Sequence, residues 1–501
     1  MKKWMIRALS ALLIAAFLPV SVLADEYDLN EGSVTVSTTK GADGSTKQDV
    51  SHKGTTKPDS NPIITSKGQK TDNTITIDAG AGTTANVTIK DANISTGKAA
   101  IKTEGEGNVN LNVEGTNTVS SGDKHAGVEK SNEGNLTIGS ENGEGKLTAN
   151  GGEAGAGIGG GNRSGGSNIT ITGGEITANG GLGGAGIGGG RYSSGSDITI
   201  SGGEVTANGG KYGAGIGGGS FGSGNDITIS GGEVTANGGK NSAGIGGGDS
   251  GSGNDITISG GEVTANGGEF GAGIGGGFTG NGSDITISGG EVTANGGTNG
   301  AGIGGGVRAS GRDITISGDS QVKAAGGAGD SYDGCGAAIG NGGYNRMGER
   351  FDGSEIEPDT SGLYTTGKVE RKRGDGTVLE TIIGKVDPSA KSASSKEEAD
   401  KREPLYRVLN LDGSSLKHQA QKADGVLALT AKADGAILTG TLRALGYLQN
   451  QGIEKITFTD GTHSAELMLA ELIAKGQPED DYVLTLGAEN TLTLNGESID
   501  F

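Results

Sequence analysis

The six letters AGIGGG stand at Ala156 to Gly161 and return at 185, 214, 243, 272 and 301, each time 29 residues on. A worn copy, AAIGNG, starts at Ala337. Two further modules keep the same step. Ile-Thr-Ile follows Asn168, Asp197, Asp226, Asp255, Asp284 and Asp313, and GGEVTANGG or a close variant starts at Gly173, Gly202, Gly231, Gly260 and Gly289. A fixed period in this range means stacked units, none of which can bury its apolar face alone. Within each unit three short segments alternate apolar and polar residues, as half-buried strands do. Gly, Thr and Val crowd every segment and disfavour helix. Three strands per unit, with Gly or Asn at the corners, close one coil. The expected fold is an all-β, right-handed parallel β-helix followed by a small α+β C-terminal module.

Ile, Val and Ala then form continuous inward columns at ~4.8 Å per coil. Looser copies between Thr74 and Ile138 add about three irregular coils. The chain holds 105 Gly in 501 residues and a single Cys, Cys335. One Cys excludes an intramolecular disulfide framework, so stability must come from backbone ladders and stacked side chains.

The organisation expected from these signals is a leader over 1–24, an N-terminal cap over 25–70 and the β-helix over 71–345. A β-hairpin region around Gly374-Asp375-Gly376 covers 346–386, a linker 387–403 and the α+β module 404–501. In that module the pattern predicts strands over 405–411, 455–459 and 482–486 and helices over 441–450 and 465–475. Lys2, Lys3 and Arg7 precede an apolar stretch, Ala8 to Val20, and Val22-Leu23-Ala24 has small residues where a signal peptidase cuts. This predicts a secreted, extracellular or surface-associated protein with no membrane span and no membrane or wall anchor, since no second apolar run or apolar tail follows. The net charge of −20 repels nucleic acid and anionic lipid. It also repels acidic polysaccharide, unless a divalent cation bridges the two.

ITIDAG (75–80), VTIKDANIS (87–95), AAIK (99–102) and VNLNVEGTNTV (109–119), followed by GAGIGGG repeats, resemble the secreted Gram-positive bacterial proteins described as carbohydrate-binding domain-containing. The resemblance covers roughly residues 71–345. It implies a right-handed parallel β-helix, binding of plant-type or acidic polysaccharide, and bound calcium. The C-terminal module resembles a domain often attached to such proteins.

Three columns carry candidate chemistry. Asp197, Asp226, Asp255, Asp284 and Asp313 place like charges one coil apart. Oxygen ligands of this kind suit Ca²⁺, whereas an Asx turn opening each strand is the plainer account. Glu175, Glu204, Glu233, Glu262 and Glu291 read as a solvated face. Asn179, Asn208, Asn237, Asn266 and Asn295 read as a hydrogen-bonded ladder. The residues that vary from coil to coil lie in two loops flanking the Ala-Gly-Ile-Gly strand. Arg163, Arg191, Tyr192, Tyr212, Phe221, Phe270, Phe278 and Arg308 would stack on sugars there. Outward Gly186, Gly188, Gly215 and Gly217 would floor a shallow trough between the loops. Alternatively those glycines only allow tight bends.

Catalysis has little support. His52, His125, His418 and His463 are scattered without metal-ligand spacing, and a regular column is not a local cluster of acid and base. The functional expectation is a non-catalytic, calcium-assisted polysaccharide-binding protein. The alternative is an adhesive surface rod that presents the C-terminal module to a host or cell-wall partner, and a polysaccharide lyase comes last.

Overall fold

The computed structural model describes residues 25–386 and 406–499, apart from positions 42–43, 142, 331, 347–348, 412–413, 415, 417, 424, 434, 451–452 and 477–479. The expected leader over 1–24 and linker over 387–403 lie outside the described residues.

The chain winds into a parallel β-helix of three sheets, with 11, 13 and 12 strands. Each strand pairs with the equivalent strand one coil on. Val205 lies beside Val234, Val234 beside Val263, and Val263 beside Val292. The first sheet carries the Ile-Thr-Ile strands, such as Gly224–Ile229, and the second the two-residue Ile-Gly strands, such as Ile216–Gly217. The third carries the Glu-Val-Thr-Ala-Asn strands, such as Glu233–Asn237. Burial alternates along the long strands as the pattern predicts, and Ile198, Ile200, Val205, Ala207 and Ile216 are fully buried. One apolar cluster runs unbroken from Tyr27 to Val369 inside the rod. At ~4.8 Å per coil the stack is roughly 55 Å long.

Polar ladders supplement the apolar columns. Asn179, Asn208, Asn237, Asn266 and Asn295 each donate through Nδ2 to Oδ1 of the Asn one coil earlier, at 2.8–2.9 Å. Each amide thus satisfies its neighbour at a half-buried corner.

Parallel pairing begins before residue 71 and continues past 345. Glu26–Asp28 pairs in parallel with Ile63–Thr65, and Val34–Thr38 with Ile75–Ala79. The antiparallel strands Thr46–His52 and Thr55–Pro58 then extend that sheet, so a hairpin follows the last parallel partner. At the other end Lys368–Lys372 joins Gln321–Ala325 in parallel, and Ile382–Ile383 pairs back on it. The turn at Gly374-Asp375-Gly376 belongs to this last layer, so the hairpin is built into the stack.

The C-terminal module has its own apolar core, with Phe458, Leu469 and Tyr482 at its centre. It contains a five-stranded and a four-stranded sheet and the helix Leu442–Asn450. The helix expected over 465–475 is shorter. Ser464–Met468 is a strand paired with Lys455–Thr459, and only Leu469–Ile473 is helical. Ala465 and Leu467 are buried while Ser464, Glu466 and Met468 are exposed, a period of two that fits the sheet. Among the described residues no helix is long and apolar enough to cross a membrane.

Candidate functional site

The eight candidate ligand-binding residues all stand on the two loops that flank the Ile-Gly strands. The structure corrects what lies between them. Gly186, Gly188, Gly215 and Gly217 are buried, so they do not floor an open trough. The two loops meet over them and bond to each other. Arg191 N–H donates to Ala154 O at 2.9 Å, Ser220 to Gly183 at 2.8 Å, Asp249 to Tyr212 at 3.0 Å and Phe278 to Asn241 at 2.7 Å. Gly217 shows why no other residue fits below. Its φ is +128°, and a Cβ there would come within 2.1 Å of Gly246 O. The glycines serve close coil-to-coil packing. The paired and tripled Gly on either side of Ala-Gly-Ile-Gly are the sequence signal for loops that fold back this tightly.

The candidate residues therefore stand on the crest of the zipped loops. Its second row consists of Arg163, Tyr192, Phe221, Ser250, Thr279 and Arg308, one per coil. All six hold φ between 58° and 67°. This left-handed conformation costs a non-glycine residue about 1 kcal/mol or more. Glycine is the usual solution, and this chain uses it freely elsewhere, yet six coils in succession place a side chain here.

The rings of Tyr192 and Phe221 stack with centroids 5.7 Å apart and planes 15° from parallel. They are 47% and 62% exposed. The Arg191 guanidinium lies 4.8 Å from the Tyr192 centroid, and that of Arg163 5.9 Å. Lys211 Nζ lies 5.1 Å from the Tyr212 ring. Phe270 and Phe278 meet edge to face at 5.7 Å two coils further on, beside Lys240. Tyr212 and Phe270 share a column but have Asn241 between them. Arg308 is drawn away to Asp333, at 3.6 Å.

Charge is sorted around the rod. The Asp column lies exposed on the first sheet and the Glu column on the third. Lys146 pairs with Glu175, and Lys323 with Glu291 at 3.0 Å, so both ends of the Glu column are neutralised. On the loop crest Lys240 pairs with Glu269 at 3.1 Å. Among the described residues Arg163, Arg191 and Lys211 form no salt bridge. Three uncompensated cations thus stand with the aromatic rings on an otherwise acidic molecule.

Asp197, Asp226, Asp255, Asp284 and Asp313 all have φ between 50° and 55°, and so does Asn168. Each is skipped by the ladder. Ser196 pairs with Ser167 and Ile198 with Ile169, leaving Asn168 and Asp197 level with each other but outside the pairing, at a left-handed kink shared by both coils. Asp and Asn tolerate this backbone better than other side chains, which accounts for the column. Among the described residues, the metal-ligand atoms that gather within 4.8 Å of one another belong to Cys335, Asp352 and Asp375. Burial first, then the Asp352 and Asp375 carboxylates, push the Cys335 thiol up to about 11.

Two contacts were not foreseeable from spacing. His125 Nδ1 lies 2.8 Å from Glu129, and His463 Nδ1 2.9 Å from Asp460. Glu129 occupies the position that Gly159 holds one coil later, so it marks where the glycine column begins. His52 stacks edge to face on Tyr27, and His418 on Tyr406. The four histidines therefore serve four separate places.

A family model described as Beta helix repeat matches residues 142–162, 169–191, 198–220, 227–249, 256–278 and 285–307, one coil each. No curated protein and no solved structure matches the chain.

Proposed function

We propose that the protein is a secreted, non-catalytic glycan-binding rod whose ligand lies along the loop crest and is anionic near Arg163, Arg191 and Lys211. The observation that carries this is the row of six left-handed, non-glycine positions, with an exposed Tyr192–Phe221 stack whose Tyr192 end lies beside two uncompensated guanidinium groups. Exposed ring faces and edges offer apolar contact to sugar rings. Unpaired Arg and Lys offer charge-assisted bonds to uronate carboxylates. The acidic sheets to either side would repel such a chain and keep it on the crest. The Asp column has a backbone account of its own, so this reading invokes no ion. Polygalacturonate binding by the full chain tests it. The wild type binds, more weakly as salt rises, and the double variant Arg191→Ala, Tyr192→Ala loses the interaction. Equal affinity in the double variant would remove the crest as the binding face.

A further inference from the structure

The aromatic column stops abruptly. Arg163, Tyr192 and Phe221 follow one another up the second row of the crest, and the next position is Ser250. The register is direct, because Phe221 N–H donates to Asp249 O at 2.8 Å just as Tyr192 N–H donates to Ser220 O. With the same left-handed φ, 61° at Ser250 against 62° at Phe221, a larger side chain at 250 would project over the Phe221 ring. Serine does not fill that space. Its hydroxyl donates sideways to Asp249 Oδ1 at 3.2 Å. Phe221 therefore has one face against Tyr192 and one face open, which fits its 62% exposure. The following residue in the column, Thr279, lies a further ~4.8 Å on and is too short to reach back.

A second observation falls at the same coil. The first positions of this loop are Asn162, Arg191, Ser220, Asp249, Phe278 and Val307. Asp249 is the one acid among them, and it stands where the ring is missing. Among the described residues it forms no salt bridge, and the one hydrogen bond found at its side chain is that from Ser250. A carboxylate only accepts hydrogen bonds. It takes hydroxyl donors and repels a ligand carboxylate or phosphate.

We infer that the space over Ser250 is a subsite for one neutral pyranose ring, stacked on the open face of Phe221 with its hydroxyls donating to Asp249. The ligand ring takes the place of the absent rung. This rests on the glycan-binding reading of the crest and adds to it: the bound chain presents an anionic group at Arg163, Arg191 and Lys211 and a neutral sugar two coils further on. A purely uronate chain satisfies only the first half.

Two probes separate these statements, glucuronoxylan, with a neutral pyranose backbone and uronate branches, and polygalacturonate. Titrated into the full-length protein, glucuronoxylan binds about ten-fold more tightly than polygalacturonate at equal salt. Ser250→Tyr supplies the missing ring and lowers glucuronoxylan affinity about ten-fold, with polygalacturonate changed less than about two-fold. Asp249→Ala lowers glucuronoxylan affinity about five-fold and is independent of how well the tyrosine variant folds. Wild-type affinity for glucuronoxylan in both Ser250→Tyr and Asp249→Ala would overturn the subsite while the crest stands. Wild-type protein that binds neither probe would overturn both.

Discussion

The ring of Phe221 lies 15° from parallel with that of Tyr192 at 5.7 Å, although each residue holds a φ, 62° and 67°, that disfavours any side chain. A position kept for stability would be expected to carry glycine. Tyr192→Gly relieves about 1 kcal/mol of backbone strain and gives up a stack of about the same size. Its melting temperature should stay within a few degrees of wild type while polygalacturonate binding is lost. A large drop in melting temperature would mean that the stack holds the coil together and has no need of a ligand.

The glycines beneath the crest obey the opposite rule. At Gly217 an Ala would combine a disallowed φ with a Cβ 2.1 Å from Gly246 O, backbone that cannot swing away. Gly217→Ala should cost about 3 kcal/mol or more. Gly68 has φ +73° with nothing within 4 Å of a Cβ, so Gly68→Ala should cost only about 1 kcal/mol. Denaturant unfolding of the two variants measures the difference. Equal costs would show that conformation, and not close packing of coils, decides the glycine column.

The stack itself was legible because the apolar positions of each strand repeat every 29 residues, so a one-residue slip from the coil-on-coil register would put Ile200 and Ile229 in water. The Asn ladder was legible for the same reason. The crest was only half legible. The varying loop residues stood out against a constant background, but strand alternation put Gly186 and Gly188 on an open surface. Period-two reasoning assumes that nothing covers the outer face, and here loop-to-loop hydrogen bonds such as Ser220 to Gly183 do so. The backbone cause of the Asp column was visible as an Asx preference, and its left-handed φ supplies the reason. Ser464–Met468 reads as helix from the sequence because Ala465, Met468, Leu469 and Leu472 also satisfy a helical spacing, and only pairing with Lys455–Thr459 decides between the two.

The Asn ladder has a direction, which makes it testable. Asn237 donates to Asn208 and accepts from Asn266. Asn237→Ala removes both bonds and leaves two half-buried amide groups short of a partner, at about 1–3 kcal/mol. Asn237→Asp keeps the acceptor for Asn266 but sets a carboxylate oxygen against Asn208 Oδ1. It should be less stable at pH 7 than at pH 3, where the protonated acid can donate. Thermal melts of the three proteins at both pH values check this. An aspartate variant that is no less stable at pH 7 than at pH 3, relative to wild type, would mean that position 237 donates no bond along the ladder.

Among the described residues, Lys130 is the buried cation that has no acid in a salt bridge with it. It is 4% exposed, points inward beside Thr103 in the parallel register, and has its ammonium on Asn132 O. Burial pushes its pKa down from the ordinary lysine range to about 8. The folded state then holds this proton less tightly than the unfolded chain. Below about pH 8 both states are protonated and the burial penalty is present in full. Between about 8 and 10.5 the folded amine is neutral while the unfolded one is still charged, so stability rises with pH relative to a chain lacking the group. Lys130→Met removes the penalty and should stabilise the protein by about 1–2 kcal/mol at pH 7, after loss of the Asn132 contact. That advantage should shrink steadily above pH 8 and be largely gone near 10.5. Melting curves of both proteins across pH 6–10.5 measure it, and a constant gap over that range would show that the ammonium reaches water in the folded state.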